Sequence, residues 1–287
     1  MMFKHTLSMQ TRLMFRQRAF AFCFGINMLY ILATFVFYVL TQRGQDVSTI
    51  LSPSSAFALN SESVFYPVFI NVVPFITVLP FAMSFMTDKM NDITPIIQSR
   101  TGIKNYYVSK ALVCFIGGFA VFFIPLIINM LLNLMIFPQS GITIFGDIFD
   151  RNYSATITGS NVMVETVQKG ILFLRLYLYS ADLYNLLFAL IFSLSMGVLS
   201  VFNFVMSFIL KRHKILLFIP IYLIIIILNT LDSLLENNTP FVSYKVMTYL
   251  SVNAHFGKSV FFISSFFIVV IACSIIMMTR QIKNDQI

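Results

Sequence analysis

The residues suited to binding a partner are concentrated in one polar stretch, Thr87–Lys110, between two long apolar runs. Its charges are carried by Asp88, Lys89, Asp92, Arg100, Lys104 and Lys110. Apolar residues recur at spacings of three, three and one, at Met90, Ile93, Ile96 and Ile97. This spacing predicts a short helix with one apolar and one charged face, and Pro95 predicts either a kink or a helix start one residue earlier. We interpret the stretch as a helix presented to a soluble partner; a solvated loop is the alternative.

Residue patterns of known catalytic sites are missing from the sequence. It contains no GxxxxGK[ST] phosphate loop, no HExxH and no GxSxG, so we expect no ATP hydrolysis by this chain itself. The histidines fall in three separate segments, at His5, His213 and His255. The cysteines fall in apolar runs, at Cys23, Cys114 and Cys273. We therefore expect neither a metal site nor an external disulfide framework, and no cofactor bound by this chain.

Composition places the chain in the membrane. Its hydrophobic fraction is 58%, its mean hydropathy +0.86 and its charged fraction 10%, values that do not suit a soluble domain. The apolar runs are long enough to cross a hydrocarbon core of about 30 Å. In such a protein the net charge of +8 reflects orientation and contact with lipid headgroups rather than nucleic-acid binding. We expect an all-α membrane protein with no nucleic-acid partner.

The apolar runs predict a single transmembrane domain over residues 1–287, with six spans at about 19–40, 64–86, 108–137, 182–210, 215–231 and 259–279. Residues 1–18 mix basic and apolar side chains and predict an interfacial helix, since the run after them is too long for a typical signal peptide. The second span contains Pro67, Pro74 and Pro80, so we expect an irregular or kinked helix. The third span is longer than a perpendicular crossing of the membrane requires. We therefore expect a tilted helix, a helix that projects beyond the bilayer, or a break near Gly117-Gly118 or Pro125.

Two polar connections lie on the predicted outer side. Thr41–Ser63 contains the turn-prone Ser52-Pro53-Ser54. The longest connection, residues 138–181, ends in Asn161–Ser180, whose apolar residues follow one helical stripe. This pattern predicts an amphipathic helix that rests on the membrane surface or covers the bundle.

The basic residues indicate the orientation. With the N-terminus in the cytoplasm, 13 basic residues fall in inner segments and 6 in outer ones. Basic excess marks cytoplasmic loops. We therefore expect both termini inside, and Thr87–Lys110 as a cytoplasmic loop between spans two and three.

The predicted span interiors contain no charged residue or histidine, whereas Asp182 and Asp232 fall at span ends. Ion-coupled transporters usually keep an ionisable group at membrane depth. Polar residues do occur in the spans, and the candidates for a translocation path are Asn71, Asn129, Asn133 and Asn203. Hydrogen bonding between helices is the alternative role for these amides.

The topology and the polar stretch together resemble the membrane subunits of ABC transporters of the ABC type-2 permease family. In that family an acidic residue follows the second span, and a short helix, a small-residue turn and a lysine opening the third span come after it. The matching positions here are Asp88, Ile93–Gln98, Ser99–Gly102 and Lys110. Two features depart from the family pattern: the long outer segment 138–181, and Asp92, which stands where a small residue is ordinary.

The resemblance implies a permease subunit of an ATP-driven exporter in a bacterial cell membrane. Such a chain forms half of a path for a hydrophobic or amphipathic substrate, and its partners are a cytosolic ATPase, which binds ATP and Mg, and a second permease. The implied ATPase-coupling residues are Asp88, Lys89, Asp92, Ile93, Ile96, Ile97, Arg100 and Thr101. An ATP-independent transporter or channel, and a membrane sensor or scaffold that uses residues 138–181, remain alternatives.

Overall fold

The computed structural model describes residues 2–46, 49–61, 63–79, 84–143, 172–210, 214–235, 243–252 and 259–285. In these ranges the regular elements are helices, as expected, with two isolated β-bridges besides. The α-helices are α1 Met2–Arg16, α2 Arg18–Thr41, α3 Tyr66–Val78, α4 Ser84–Met90, α5 Thr94–Thr101, α6 Ile103–Ile136, α7 Leu174–Tyr179, α8 Ala181–Met206, α9 Ile219–Leu235, α10 Val246–Tyr249 and α11 Val260–Asn284. A 3-10 helix, Lys214–Phe218, leads into α9.

Five helical segments in the described part of the chain are long and apolar enough to cross a membrane: α2, α6, α8, Leu216–Leu234 and α11. They correspond to five of the six predicted spans. The second predicted span, 64–86, does not form one such helix, because α3 ends at Val78 and α4 begins at Ser84. With 13 residues, α3 is about 20 Å long, shorter than a hydrocarbon core of about 30 Å. Pro67 lies in the first turn of α3 and Pro74 in its interior, and residues 80–83 lie outside the described part of the chain, so the irregular or kinked second span stays a prediction.

The third span contains no break. Helix α6 runs uninterrupted for 34 residues past Gly117, Gly118 and Pro125. The glycines serve close packing instead. A Cβ on Gly118 would lie 2.8 Å from the Cβ of Ser200, and one on Gly197 would lie 2.9 Å from the ring of Phe115. Backbone contact between α6 and α8 therefore explains these positions, and of the three alternatives expected for this span the break near Gly117-Gly118 or Pro125 is not found.

Hydrogen bonds between the loops establish which helix ends lie together. The backbone N–H of Ser52, after α2, donates to the carbonyl of Ile142, after α6, and the amide of Asn185, at the start of α8, donates to the carbonyl of Ser54. We call the end of the bundle that holds residues 42–46, 49–61, 138–143 and 243–252 the distal end. The opposite end, with residues 84–110 and 279–285, is the proximal end.

The N-terminal residues form a helix, as predicted for residues 1–18. Helix α1 packs against α6, and its buried stripe consists of Thr6, Gln10 and Met14. A Cβ on Gly117 would lie 2.5 Å from the sulfur of Met14. The helix is therefore fixed against the bundle, and its predicted place at a membrane surface stays a prediction.

The two predicted outer connections have different outcomes. Residues 52–60, part of the polar connection Thr41–Ser63, are all buried inside the distal end of the bundle. Several of their backbone groups have hydrogen-bond partners there, and this permits burial. The amphipathic helix predicted for Asn161–Ser180 falls mostly outside the described residues; the part that is described contains α7.

Candidate functional site

The polar stretch contains a short helix at the proximal end, although its bounds differ from the prediction. The apolar pattern from Met90 to Ile97 predicted one short helix; α4 instead ends at Met90, and α5 begins at Thr94 with Pro95 in its first turn. Asp92 lies in the intervening turn with φ of 52°, a left-handed conformation that Asp adopts more readily than most residues. Gly102, with φ of 80°, is the only residue between α5 and α6. The proline therefore starts the helix, which is the second of the two expectations for it.

The turn and α5 expose an apolar patch. Met90, Ile93 and Ile96 are 64%, 39% and 56% exposed. Charged side chains lie exposed beside them, at Lys89, Asp92 and Arg100. Apolar residues grouped in this way and rimmed by charge are typical of a surface that binds a partner.

The remaining predicted coupling residues act within the fold. Ile97 packs against the hydrophobic core. The hydroxyl of Thr101 donates to the carbonyl of Ile97 at 2.8 Å, which supports the last turn of α5. Asp88 belongs to the ion pair described next. The predicted set therefore divides into exposed residues and residues that attach α5 to the bundle.

An ion pair joins α4 to α6. The ammonium group of Lys110 donates to the carboxylate of Asp88, and also to the hydroxyl of Tyr106 at 3.0 Å. That hydroxyl donates in turn to Asp88 at 3.0 Å. The Lys110 side chain is 1% exposed and that of Asp88 23%. A buried charge requires such compensation, and the rings of Tyr106 and Phe85, 5.0 and 5.8 Å from the nitrogen, add cation–π attraction.

Two charged residues lie buried in helices that correspond to predicted spans. Helix α6 begins five residues before the predicted span, so Lys110 lies two turns inside it. Asp232, near the end of α9, is 6% exposed and pairs with Lys245 at 3.0 Å. Both charges are accommodated because each has an opposite charge within hydrogen-bonding distance.

A second polar joint connects α5 to two long helices. The carboxylate of Asp285, at the end of α11, accepts hydrogen bonds from the hydroxyl of Tyr107 and from the amide of Gln98 at 3.3 Å. Gln281 donates to its other oxygen at 2.9 Å. The rings of Tyr107 and Tyr106 lie 5.3 Å apart, so the two joints are adjacent. Displacement of α5 would thus act directly on α6 and α11.

Sequence reasoning did not identify several residues of these joints: Gln98, Tyr106, Tyr107 and Asp285. One signal was present. The predicted cytoplasmic segments hold only three acidic residues, Asp88, Asp92 and Asp285, among 13 basic ones. Two of these three carboxylates, those of Asp88 and Asp285, form the joints. The few acidic residues in a basic region would therefore have been reasonable candidates for residues that join the helices.

The four asparagines predicted for a translocation path do not form one site in the described structure. Asn71 is exposed, and its amide donates to the carbonyl of Pro67 at 2.7 Å. Asn203 is buried and donates to the hydroxyl of Thr77 at 3.4 Å. Asn129 and Asn133 are buried toward the distal end, and the amide nitrogen of Asn133 donates to the side-chain oxygen of Asn129 at 3.3 Å. Their role in a path stays a prediction.

The geometry of the proximal end defines what the site can do chemically. It combines an exposed apolar patch with two internal polar joints, an arrangement suited to binding and to transmitting displacement. Within the described ranges, no group of three or more His, Cys, Asp or Glu side chains could hold a metal ion. Comparisons with known protein families, with curated proteins and with solved structures find no match for this chain, so the functional interpretation depends on this geometry and on the sequence patterns.

Proposed function

We propose that this chain is the permease subunit of an ATP-driven exporter and forms half of a translocation path for a hydrophobic or amphipathic substrate. The observation that carries the proposal is the exposed apolar patch around α5, which hydrogen bonds attach to α6 and α11 through Asp285. A separate cytosolic ATPase, which binds ATP and Mg, docks on this patch. The resemblance of Thr87–Lys110 to the coupling region of ABC type-2 permeases supports the same assignment.

Coupling follows from the two joints. Closure of the ATPase pushes on Ile93 and Ile96, and the push passes through Gln98 to Asp285 and so to α11 and α6. The ion pair between Asp88 and Lys110 keeps α4 attached to α6 during this movement. Because both joints are short and internal, displacement of α5 is transmitted to the spans rather than lost in the loop.

The proposed orientation places the proximal end in the cytosol of a bacterial cell. The excess of basic residues in the segments of this end supports it. Residues 64–86 make the second of six crossings, and a second permease, identical or similar, completes the path. A mostly apolar groove of about 320 Å³ lies between α6, α8 and α11 and suits an apolar substrate group.

Co-purification tests the proposal. The tagged chain, isolated from its native membrane, should bring an ATPase with it, and Ile96→Asp should reduce the recovered ATPase by an order of magnitude or more. A buried hot-spot contact is worth about 2 kcal/mol or more, which corresponds to such a loss. The matched control is Leu178→Asp, an exposed apolar residue (65%) of α7 outside the candidate spans, which should leave recovery unchanged. Equal recovery with both variants would contradict docking at α5.

The second candidate function is an ATP-independent transporter. Lys110 lies two turns inside α6, a helix long enough to cross a membrane, and transporters of this kind keep ionisable groups within their spans. Proteoliposomes separate the two functions. The alternative requires the chain alone to move substrate uphill, driven by an ion gradient and lost on Asp88→Asn. The exporter requires nucleotide and the ATPase.

A further inference from the structure

Residues 51–61, between α2 and α3, form an irregular segment inside the bundle, which we call the buried segment. Residues 52–60 are all buried, and the segment contains no charged side chain. At membrane depth, irregular backbone is tolerated only where protein or enclosed water satisfies its N–H and C=O groups. The buried segment is therefore part of the interior of the distal end and not a surface loop.

The buried segment reaches well below the ends of the surrounding helices. The carbonyl of Ala58 accepts from the hydroxyl of Tyr30, and the N–H of Ala58 donates to the side-chain oxygen of Asn129 at 2.9 Å. Tyr30 precedes the end of α2 by 11 residues, and Asn129 precedes the end of α6 by 7. At about 1.5 Å per residue these positions lie about 16 and 10 Å along the helix axes from the distal ends. Ala58 thus occupies the bundle interior.

Three asparagines from two spans hold the buried segment, and we call them the amide latch: Asn129, Asn133 and Asn185. Asn133 donates to the carbonyl of Ala56 at 2.9 Å. Asn185 donates to the carbonyl of Ser54 at 2.8 Å. Neutral hydrogen bonds of this kind hold less strongly than charge-assisted ones, so the latch can release without the separation of an ion pair.

The latch is incompletely bonded. Among the described residues nothing accepts from the amide nitrogen of Asn129 and nothing donates to the side-chain oxygen of Asn133, although both side chains are buried. Buried polar groups without partners destabilise the arrangement that holds them. A second arrangement that admits water, or a polar part of a substrate, would satisfy both atoms.

The ends of the buried segment are anchored differently from its middle. Isolated bridges join Leu51 to Ile142 and Asn60 to Val252. Between these two anchors the hydrogen bonds to the spans come from side chains, chiefly those of the latch. Because the buried segment is fixed at both ends and held by neutral hydrogen bonds in its middle, its middle can move without unfolding of the helices.

We propose that the buried segment is a withdrawable closure of the distal end, released when α6 and α8 separate and the amide latch opens. Asn129 and Asn133 lie on the same helix as Lys110, so movement of α6 at the proximal joint reaches the latch. The inference rests on the proposed function in one respect: a closure presupposes a path. Its test needs neither ATPase nor substrate, so its failure is distinguishable from failure of docking at α5.

Cysteine accessibility in purified full-length protein tests the closure. In a Cys273→Ser background, Ser54→Cys reports on the buried segment and Gln45→Cys on the exposed turn after α2. With a hydrophilic maleimide, Ser54→Cys should react about 100-fold more slowly than Gln45→Cys. Added Asn133→Ala or Asn185→Ala should each accelerate the reaction about tenfold, because each variant loses one hydrogen bond to the buried segment. Asn71→Ala, which removes an exposed asparagine with a local hydrogen bond, is the matched control and should change nothing.

The native Cys114, fully buried in α6, separates local opening from unfolding. It should stay unreactive in the latch variants, since release of the buried segment leaves the helices packed. The closure is overturned if Ser54→Cys reacts as fast as Gln45→Cys without a latch substitution. It is also overturned if Asn133→Ala and Asn185→Ala leave the rate unchanged, or if they accelerate Ser54→Cys only together with Cys114.

Discussion

The ion pair at the proximal end and the amide latch at the distal end solve the burial of polar groups in different ways. At the proximal end Asp88 and Lys110 form a charged pair, with the carboxylate partly exposed. In the latch, neutral asparagines bond to irregular backbone, and part of their hydrogen-bonding capacity is unused. The distal end also has an ion pair, between Asp232 and Lys245, but it lies outside the buried segment. A buried ion pair is costly to separate, whereas a neutral amide bond is not. The difference suits a proximal end that transmits movement and a distal end that opens.

Loss of the carboxylate at the proximal end should have the largest effect. Asp88→Ala leaves the Lys110 ammonium buried without its counter-charge and should lower the free energy of unfolding by about 3–5 kcal/mol. Reversible unfolding of the purified protein in mixed micelles measures this. Lys110→Met should cost less, because the remaining carboxylate is 23% exposed, and Asp88→Ala combined with Lys110→Met should recover part of the loss. Strictly additive losses would show that the pair is not coupled, and the contrast between the two ends would disappear.

Loss of a latch asparagine should have an intermediate effect. Asn133→Leu removes the hydrogen bonds to Ala56 and Asn129 and should lower the free energy of unfolding by about 1–3 kcal/mol in the same measurement. Asn71→Leu, the exposed counterpart, should stay within about 0.5 kcal/mol of the parent protein. A loss for Asn133→Leu as large as that for Asp88→Ala would mean that the distal end is held as firmly as the proximal end.

The smallest effect is expected at the second proximal joint. Gln98→Ala removes one neutral-to-carboxylate hydrogen bond at 3.3 Å and should cost about 0.5–1.5 kcal/mol of stability. Its consequence for function should be larger than that for stability: the ATPase still binds, but substrate-stimulated turnover of the complex falls. Ser99→Ala, whose hydroxyl bonds only within α5, is the control. Unchanged stimulation with Gln98→Ala would exclude this joint from coupling.

The sequence predicted most helices because their signals are local. A long apolar run and a proline in a first turn are properties of neighbouring residues, so five spans and the start of α5 at Thr94 follow from them. The second span, 64–86, stays a prediction, because residues 80–83 lie outside the described part of the chain. Of the three alternatives expected for the third span, the break is not found, because Gly118 packs against Ser200 on another helix, a contact that no local pattern reveals.

The sequence by itself determined the class of protein, most of its spans and the basic character of the segments at one end, since hydropathy and charge act through the solvent and need no partner. Only the tertiary structure decided which polar residues are buried and with whom. Gln98 and Asp285 are 187 positions apart and Ala58 and Asn129 are 71 apart. The sequence does not show whether a polar side chain forms its hydrogen bonds with water or with a distant helix. Only the fold distinguishes the two.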